Sequence, residues 1–324
     1  MSELRPPAPP RRHLLSVRDL SRDDVERILD TARAMAGSLD REVKKLPTLR
    51  GRTVVNLFYE PSTRTLASFE LAAKRLSADT MSLRSAGSSV DKGESLKDTA
   101  LTLAAYDPDV IVVRHPAIGA PQLVARHTEA HVVNAGDGKH QHPTQALVDL
   151  HTMAERLGRL EGLHVAIVGD ILHSRVARSL VQALGLVGAR ATLVGPPTLL
   201  PRGIEALGCD VSTDIDAIAN ADVVYVLRMQ RERMAPGSSF VPSLREYAAL
   251  YGITPERVRP GQVVMHPGPM NRGIEIDPRV ADSGAALVTH QVRSGLVVRM
   301  AVLYDLLTVP SPVPVEVAVR MEAA

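Results

Sequence analysis

The chain has 324 residues, 45% of them hydrophobic and 23% charged, which is enough for two globular domains and contains no apolar run of membrane-spanning length. A net charge of +2, no Trp and only 3% aromatic residues exclude the basic field and stacking platforms of a nucleic-acid surface. The single cysteine, Cys209, excludes an internal disulfide, fits a reducing cytosol, and reads as a small core residue.

Residues 1–12 are rich in Pro and Arg, carry no hydrophobic signal region, and read as a disordered tail. Ser21 then caps a helix whose Val25, Ile28, Leu29, Ala32 and Met35 share one apolar face. The apolar, β-prone run 53–59 predicts a buried strand. It leads into Glu60-Pro61-Ser62-Thr63-Arg64-Thr65, and from there Leu66, Phe69, Ala73 and Leu76 recur at helical spacing, with no Gly or Pro before Gly87. A strand-to-helix turn offers free N–H groups and the positive end of a helix dipole, which suit a phosphate. Arg64 adds a fork of donors. The same serine and threonines also suit an ordinary helix cap.

The segment 84–94 is small and polar with two glycines and reads as a loop. Ser95 opens a helix carrying Leu96, Leu101, Leu103 and Ala104. Strands are predicted at 110–116 and 132–136, the second followed by the polar turn Asp137-Gly138-Lys139-His140-Gln141-His142-Pro143-Thr144-Gln145. That turn leads into a helix with Leu147, Leu150, Ala154 and Leu157 on one face. The pattern restarts at Gly162, with strands at 163–170, 191–195, 222–227 and 262–265 and a helix at 176–186. The last helix is predicted over 295–307 and crosses back to the first half.

Strands alternating with helices predict an α/β fold of two doubly wound parallel-sheet domains, with the active site in the cleft between them. The expected division is 1–146 for the first domain, joined by the C-terminal stretch 292–324, and 147–291 for the second. In open parallel sheets ligands bind beyond the C-terminal ends of the strands. Arg64, Arg114, His142, Arg175, Arg228 and His266 all follow a strand, which predicts a cationic pocket for anionic substrates.

The motifs Ser62-Thr63-Arg64-Thr65, Lys92-Gly93-Glu94-Ser95, Arg114-His115-Pro116, Asn134-Ala135-Gly136-Asp137-Gly138, His142-Pro143-Thr144-Gln145, Arg228-Met229-Gln230 and His266-Pro267-Gly268-Pro269 run in one order through the chain. This set resembles the aspartate carbamoyltransferase catalytic chains over about residues 13 to 308. One departure is Leu66, where many members carry an arginine.

The resemblance implies transfer of the carbamoyl group of carbamoyl phosphate to L-aspartate, the committed step of pyrimidine synthesis, with no cofactor and no metal. Ser62, Thr63, Arg64 and Thr65 would hold the phosphate. Arg114 would bridge the phosphate and the carbonyl oxygen, to which His142 and Thr65 also donate, and Gln145 would hold the carbamoyl NH2. Arg175 and Arg228 would clamp the two aspartate carboxylates, with Gln230 orienting the substrate. Backbone groups at Pro267, Gly268 and Pro269 would meet the carbamoyl and amino groups, and Ser88 and Lys92 would reach into the site of a neighbouring chain. The implied unit is a cytoplasmic homotrimer with shared sites, and the form of the 266–273 segment resembles bacterial chains that assemble with a dihydroorotase-like partner.

The chemistry agrees with these roles, because an amine attacking a carbonyl needs two anions held close and donors aimed at the developing oxyanion. The alternative is an ornithine-type carbamoyltransferase. Those chains usually carry His-Cys-Leu-Pro in place of His266-Pro267-Gly268-Pro269, lack the lysine of the 92–94 motif, and have less use for two carboxylate-binding arginines. A dinucleotide-binding dehydrogenase is disfavoured because the turn 169–175 lacks Gly-x-Gly-x-x-Gly.

Overall fold

The computed structural model describes residues 13–84, 93–230 and 240–308. A first helix, α1 (Arg22–Ala36), is closed by a capping box between Ser21 and Asp24. The first half continues with β1 (Thr53–Phe58), α2 (Thr63–Arg75), β2 (Asp79–Arg84), α3 (Leu96–Ala104), β3 (Val110–His115), α4 (Ala120–Ala125), β4 (His131–Asp137) and α5 (Pro143–Leu157). Its strands form one parallel sheet in the order β2-β1-β3-β4.

The second half comprises β5 (His164–Val168), α6 (Arg175–Leu186), β6 (Arg190–Val194), β7 (Asp210–Ser212), β8 (Val223–Val226), α7 (Leu244–Tyr251), β9 (Val263–Met265) and α8 (Pro278–Ala281). Its sheet is also parallel, in the order β7-β6-β5-β8-β9. The long α9 (Val288–Thr308) then returns to pack on α1, α2 and α5. The fold is therefore α/β with two parallel sheets, and among the described residues no helix is long and apolar enough to cross a membrane.

Side-chain alternation along each strand divides the core. Val54, Phe58, Val110 and Val112 of the first sheet share one apolar cluster with Val165, Ile167, Tyr225 and Met265 of the second and with α1, α2, α5, α6 and α9. The opposite faces have clusters of their own, around Val55, Ile111 and Val132 in the first sheet and Val168, Val224 and Val264 in the second. One core thus runs across both sheets instead of a separate core for each half, because α5 and α9 lie between them and bury apolar residues on both sides.

Among the described residues β2, β7, α4, α7 and α8 were not expected from the sequence, and α9 is longer than expected. β2 is a half-exposed edge strand that has no continuous apolar run to announce it. α9 begins well before Gly295, which lies inside it, and a Cβ there would lie 2.6 Å from Arg299 Nη1. The tail 1–12, Ser88, Lys92 and 309–324 lie outside the described residues. The division expected after residue 146 falls inside α5.

Candidate active site

Each sheet has a place where its connections part. In the first, β1 leads to β2 on one side and β3 leads to β4 on the other, so the C-terminal ends of β1 and β3 flank a switch point. In the second, β5 and β8 do the same. The β1 end carries Glu60 to Thr65, and the β3 end carries Arg114. The β5 end carries Asp170 to Arg175, and the β8 end carries Arg228 and Gln230.

Two helix starts of the first half, those of α2 and α5, are open. Ser62 occupies the N-cap of α2 in extended conformation, yet its side chain caps nothing, and the first turn contains no acidic residue. Its hydroxyl and the first-turn N–H groups are left to face the positive helix end. Thr65 is buried beneath them. His142 occupies the N-cap of α5 before Pro143, again without a side-chain cap. Its backbone N–H donates to Ser179 Oγ at 2.8 Å, and that hydroxyl donates to Gln141 Oε1 at 2.7 Å, which fixes the turn on α6. Asp137 braces the same turn by accepting from Gly119 N and Gln141 N, each at 3.0 Å. Burial opposes its ionisation, but His140, Asn134 and the Gly119 N–H hold its carboxyl below the usual range.

The two switch points meet through Glu60. Its Oε2 lies 2.8 Å from Arg175 Nη2 and 3.4 Å from Arg114 Nε. Arg175 Nη1 also donates to Gly138 O at 3.2 Å, and Arg114 Nη1 to Ala135 O at 3.2 Å. The guanidinium of Arg175 lies so close to Gly136 that a Cβ there would stand 2.7 Å from Cζ. Gly136 has φ +119, so the residue type answers both the conformation and the approach. The second close approach is Gly268, φ +62, where a Cβ would stand 2.9 Å from Arg64 Cζ. Partial burial, and then the nearby charge of Arg228, lower the pKa of Arg64. Arg64 from the first half and Arg228 and Gly268 from the second therefore occupy one place, as do Arg114 and Arg175.

His266 differs from expectation. It is buried at 1% exposure and serves the loop instead of a ligand. Its Nδ1 accepts from Gly268 N at 2.8 Å, so Nε2 carries the proton toward Glu275 Oε1 at 3.3 Å. Burial lowers its pKa, Glu275 opposes that, and the charges of Arg64 and Arg228 add to the lowering. A neutral His266 thus shapes the Pro267-Gly268-Pro269 turn without adding charge to the pocket.

Behind the site, Gln145 Nε2 donates to the buried carboxylate of Asp149 at 2.9 Å. Gln230 is anchored through its backbone N–H to Asp170 Oδ2 at 3.1 Å, and the other oxygen of Asp170 pairs with His173 Nδ1 at 2.8 Å. Sequence reasoning assigned no role to Glu60, Asp149 or Asp170. Glu60 had a signal in the sequence, as the one carboxylate heading a motif rich in hydroxyls and arginine.

Residues 12–155 match the carbamoyl-phosphate binding domain of the aspartate/ornithine carbamoyltransferases, and residues 161–306 match their Asp/Orn binding domain. The chain belongs to the aspartate/ornithine carbamoyltransferase family. Within that family it is 60% identical over 303 residues to the aspartate carbamoyltransferase catalytic subunit of Salinispora arenicola, covering 91% of this chain and 98% of that one. The corresponding subunit of Moorella thermoacetica is 57% identical, covering 92% and 97%. Among solved carbamoyltransferases, aspartate transcarbamoylase from Trypanosoma cruzi in complex with carbamoyl phosphate and aspartate superposes with a TM-score of 0.81 at 31% identity, covering 92% and 98%. The catalytic subunit from M. jannaschii gives 0.79 at 38% identity, covering 91% and 98%.

Proposed function

We infer that this carbamoyltransferase is the aspartate-specific catalytic chain: carbamoyl phosphate and L-aspartate give N-carbamoyl-L-aspartate and phosphate, in pyrimidine biosynthesis. The observation that carries the reading is the meeting of guanidinium groups from two facing switch points around Glu60, in a chain whose relatives bear that name. A pocket built from several arginines suits two anions held side by side.

In this reading 1–146 with 292–324 binds carbamoyl phosphate and 147–291 binds aspartate. Ser62, Thr63, Arg64 and Thr65 take the phosphate at the open start of α2. Arg114, Thr65 and His142 donate to the carbonyl oxygen as it becomes an oxyanion. Gln145 accepts from the carbamoyl NH2. Arg175 and Arg228 take the aspartate carboxylates, and Gln230 orients the amine. The amine nitrogen bonds to the carbamoyl carbon, the carbon–oxygen bond to phosphate breaks, and the departing phosphate is the acceptor for the amine proton. Glu60 stays between Arg114 and Arg175 and keeps both guanidinium groups aimed at the incoming anions.

Ser88 and Lys92 complete the site of an adjacent subunit, which makes the working unit a cytoplasmic homotrimer, and a dihydroorotase-like chain joins the larger assembly. Turnover with carbamoyl phosphate and either aspartate or ornithine tests the substrate, and preference for ornithine overturns it. Mixing Lys92→Ala with Arg64→Ala chains tests the shared site. Hybrid trimers regain activity if it is shared, and verified hybrids that stay inactive refute it.

A further inference from the structure

Asp149 lies on α5 one turn after Gln145 and is wholly buried. Its Oδ1 accepts from Gln145 Nε2 at 2.9 Å and from Gln291 Nε2 of α9 at 2.8 Å. Its Oδ2 accepts from the Tyr225 hydroxyl of β8 at 2.8 Å. Gln291 uses its other end as well: Oε1 accepts from the backbone N–H of His266 at 2.9 Å. His266 in turn holds Gly268. A continuous chain of hydrogen bonds thus runs from Gln145, through Asp149 and Gln291, to the turn that lies against Arg64.

The chain has a direction. An ionised carboxylate only accepts, so both glutamines must turn their NH2 groups toward it. Gln291 is then left with its oxygen for His266 N–H, which is how it is used. Gln145 is left with Oε1 as the end that can meet a ligand. A carbamoyl NH2 donates, so an amide presenting oxygen binds it and an amide presenting NH2 opposes it.

We propose that Asp149 is a positioning residue whose buried carboxylate orients the Gln145 amide, so that Gln145 presents an acceptor and selects a carbamoyl NH2 over a methyl group of the same size. This rests on the reading of Gln145 given above. The charged and titratable groups facing Asp149 are Tyr225 from β8 and Arg299 from α9. Burial pushes its carboxyl up to about 7, against the hydrogen bonds from Gln291, Tyr225 and Gln145 and the charge of Arg299.

The test compares binding of phosphonoacetamide and acetonylphosphonate, which differ only by NH2 against CH3, to the full-length protein by calorimetry. The wild type prefers the amide by roughly fivefold to tenfold, the worth of one hydrogen bond. Gln145→Ala abolishes that preference. Asp149→Leu abolishes it too, since leucine offers the Gln145 NH2 no acceptor, while the affinity for acetonylphosphonate stays within about twofold, because the phosphonate and carbonyl contacts are untouched. A merely structural role would weaken both ligands alike, and that result, or an undiminished preference in Asp149→Leu, overturns the proposal. If Asp149→Leu does not fold, the side-chain NH2 signal of Gln145 in the 15N-labelled wild type decides: the same position with either ligand supports an NH2 held by Asp149, and a shift seen only with the amide refutes it. Failure of the functional reading is distinct, because it shows as absent turnover with aspartate or as no wild-type preference at all.

Discussion

The two halves of this chain begin their site helices differently. α2 and α5, which follow strands of the first sheet, start at Ser62 and His142 with no side chain closing the helix end. α6, which follows β5 of the second sheet, starts at Ser174, whose side chain accepts from Ala177 N at 3.1 Å, and projects Arg175 from its first position. Away from the site, α1, α3 and α7 are likewise closed by Ser21, Ser95 and Ser243. An open helix end offers several N–H groups to a compact tri-oxygen anion. A closed end with a guanidinium offers a planar fork that matches one carboxylate. In the proposed reading the first half grips phosphate through backbone and hydroxyls together, and the second reads carboxylates with side chains.

Substitutions that separate these modes sharpen the contrast. The largest effect is expected for Arg114→Ala, which in the proposed reading removes a donor aimed at the oxyanion and lowers kcat by about a hundredfold to a thousandfold in steady-state assays. A loss confined to KM would show that Arg114 binds without serving the transition state. Arg228→Ala raises KM for aspartate roughly a hundredfold and changes carbamoyl phosphate affinity far less, although its charge also acts on Arg64. Equal loss of both affinities would break the division of labour.

Glu60→Gln keeps the shape between Arg114 and Arg175 but removes the charge that holds them together. We expect both substrates to bind more weakly, each by about tenfold, measured by initial rates at varied concentrations. The smallest effect is the most discriminating. Ser62→Ala weakens phosphate binding by roughly fivefold with an unchanged melting temperature, because that hydroxyl caps nothing. Ser21→Ala does the reverse: it lowers the melting temperature by about 2–4 °C, for a cost of about 1 kcal/mol, and leaves kcat alone. A large thermal shift from Ser62→Ala would mean that the serine is a cap after all.

The buried parallel strands were legible in the sequence because each is a short apolar run ending at a polar turn, and the strand-end rule then located Arg64, Arg114, Arg175 and Arg228. β2 was not legible, because an edge strand that is half exposed alternates weakly and has no apolar run. His266 was misjudged as a pocket cation, since position after a strand says where a side chain starts and not which way it turns. Glu60, Asp149 and Asp170 each pair with a residue far along the chain, 115, 142 and 60 positions away, respectively, and those partners are invisible to local pattern, although Asp149 and Asp170 also have near partners in Gln145 and His173.

The apolar cluster that spans both sheets constrains how this enzyme can be taken apart. A gene severed between α5 and β5 would yield two polypeptides, each with a raw inner surface that water would penalise. Neither is a free-standing module, and a chimera joining halves of distant relatives would need matched inner faces before its chemistry could be asked about at all.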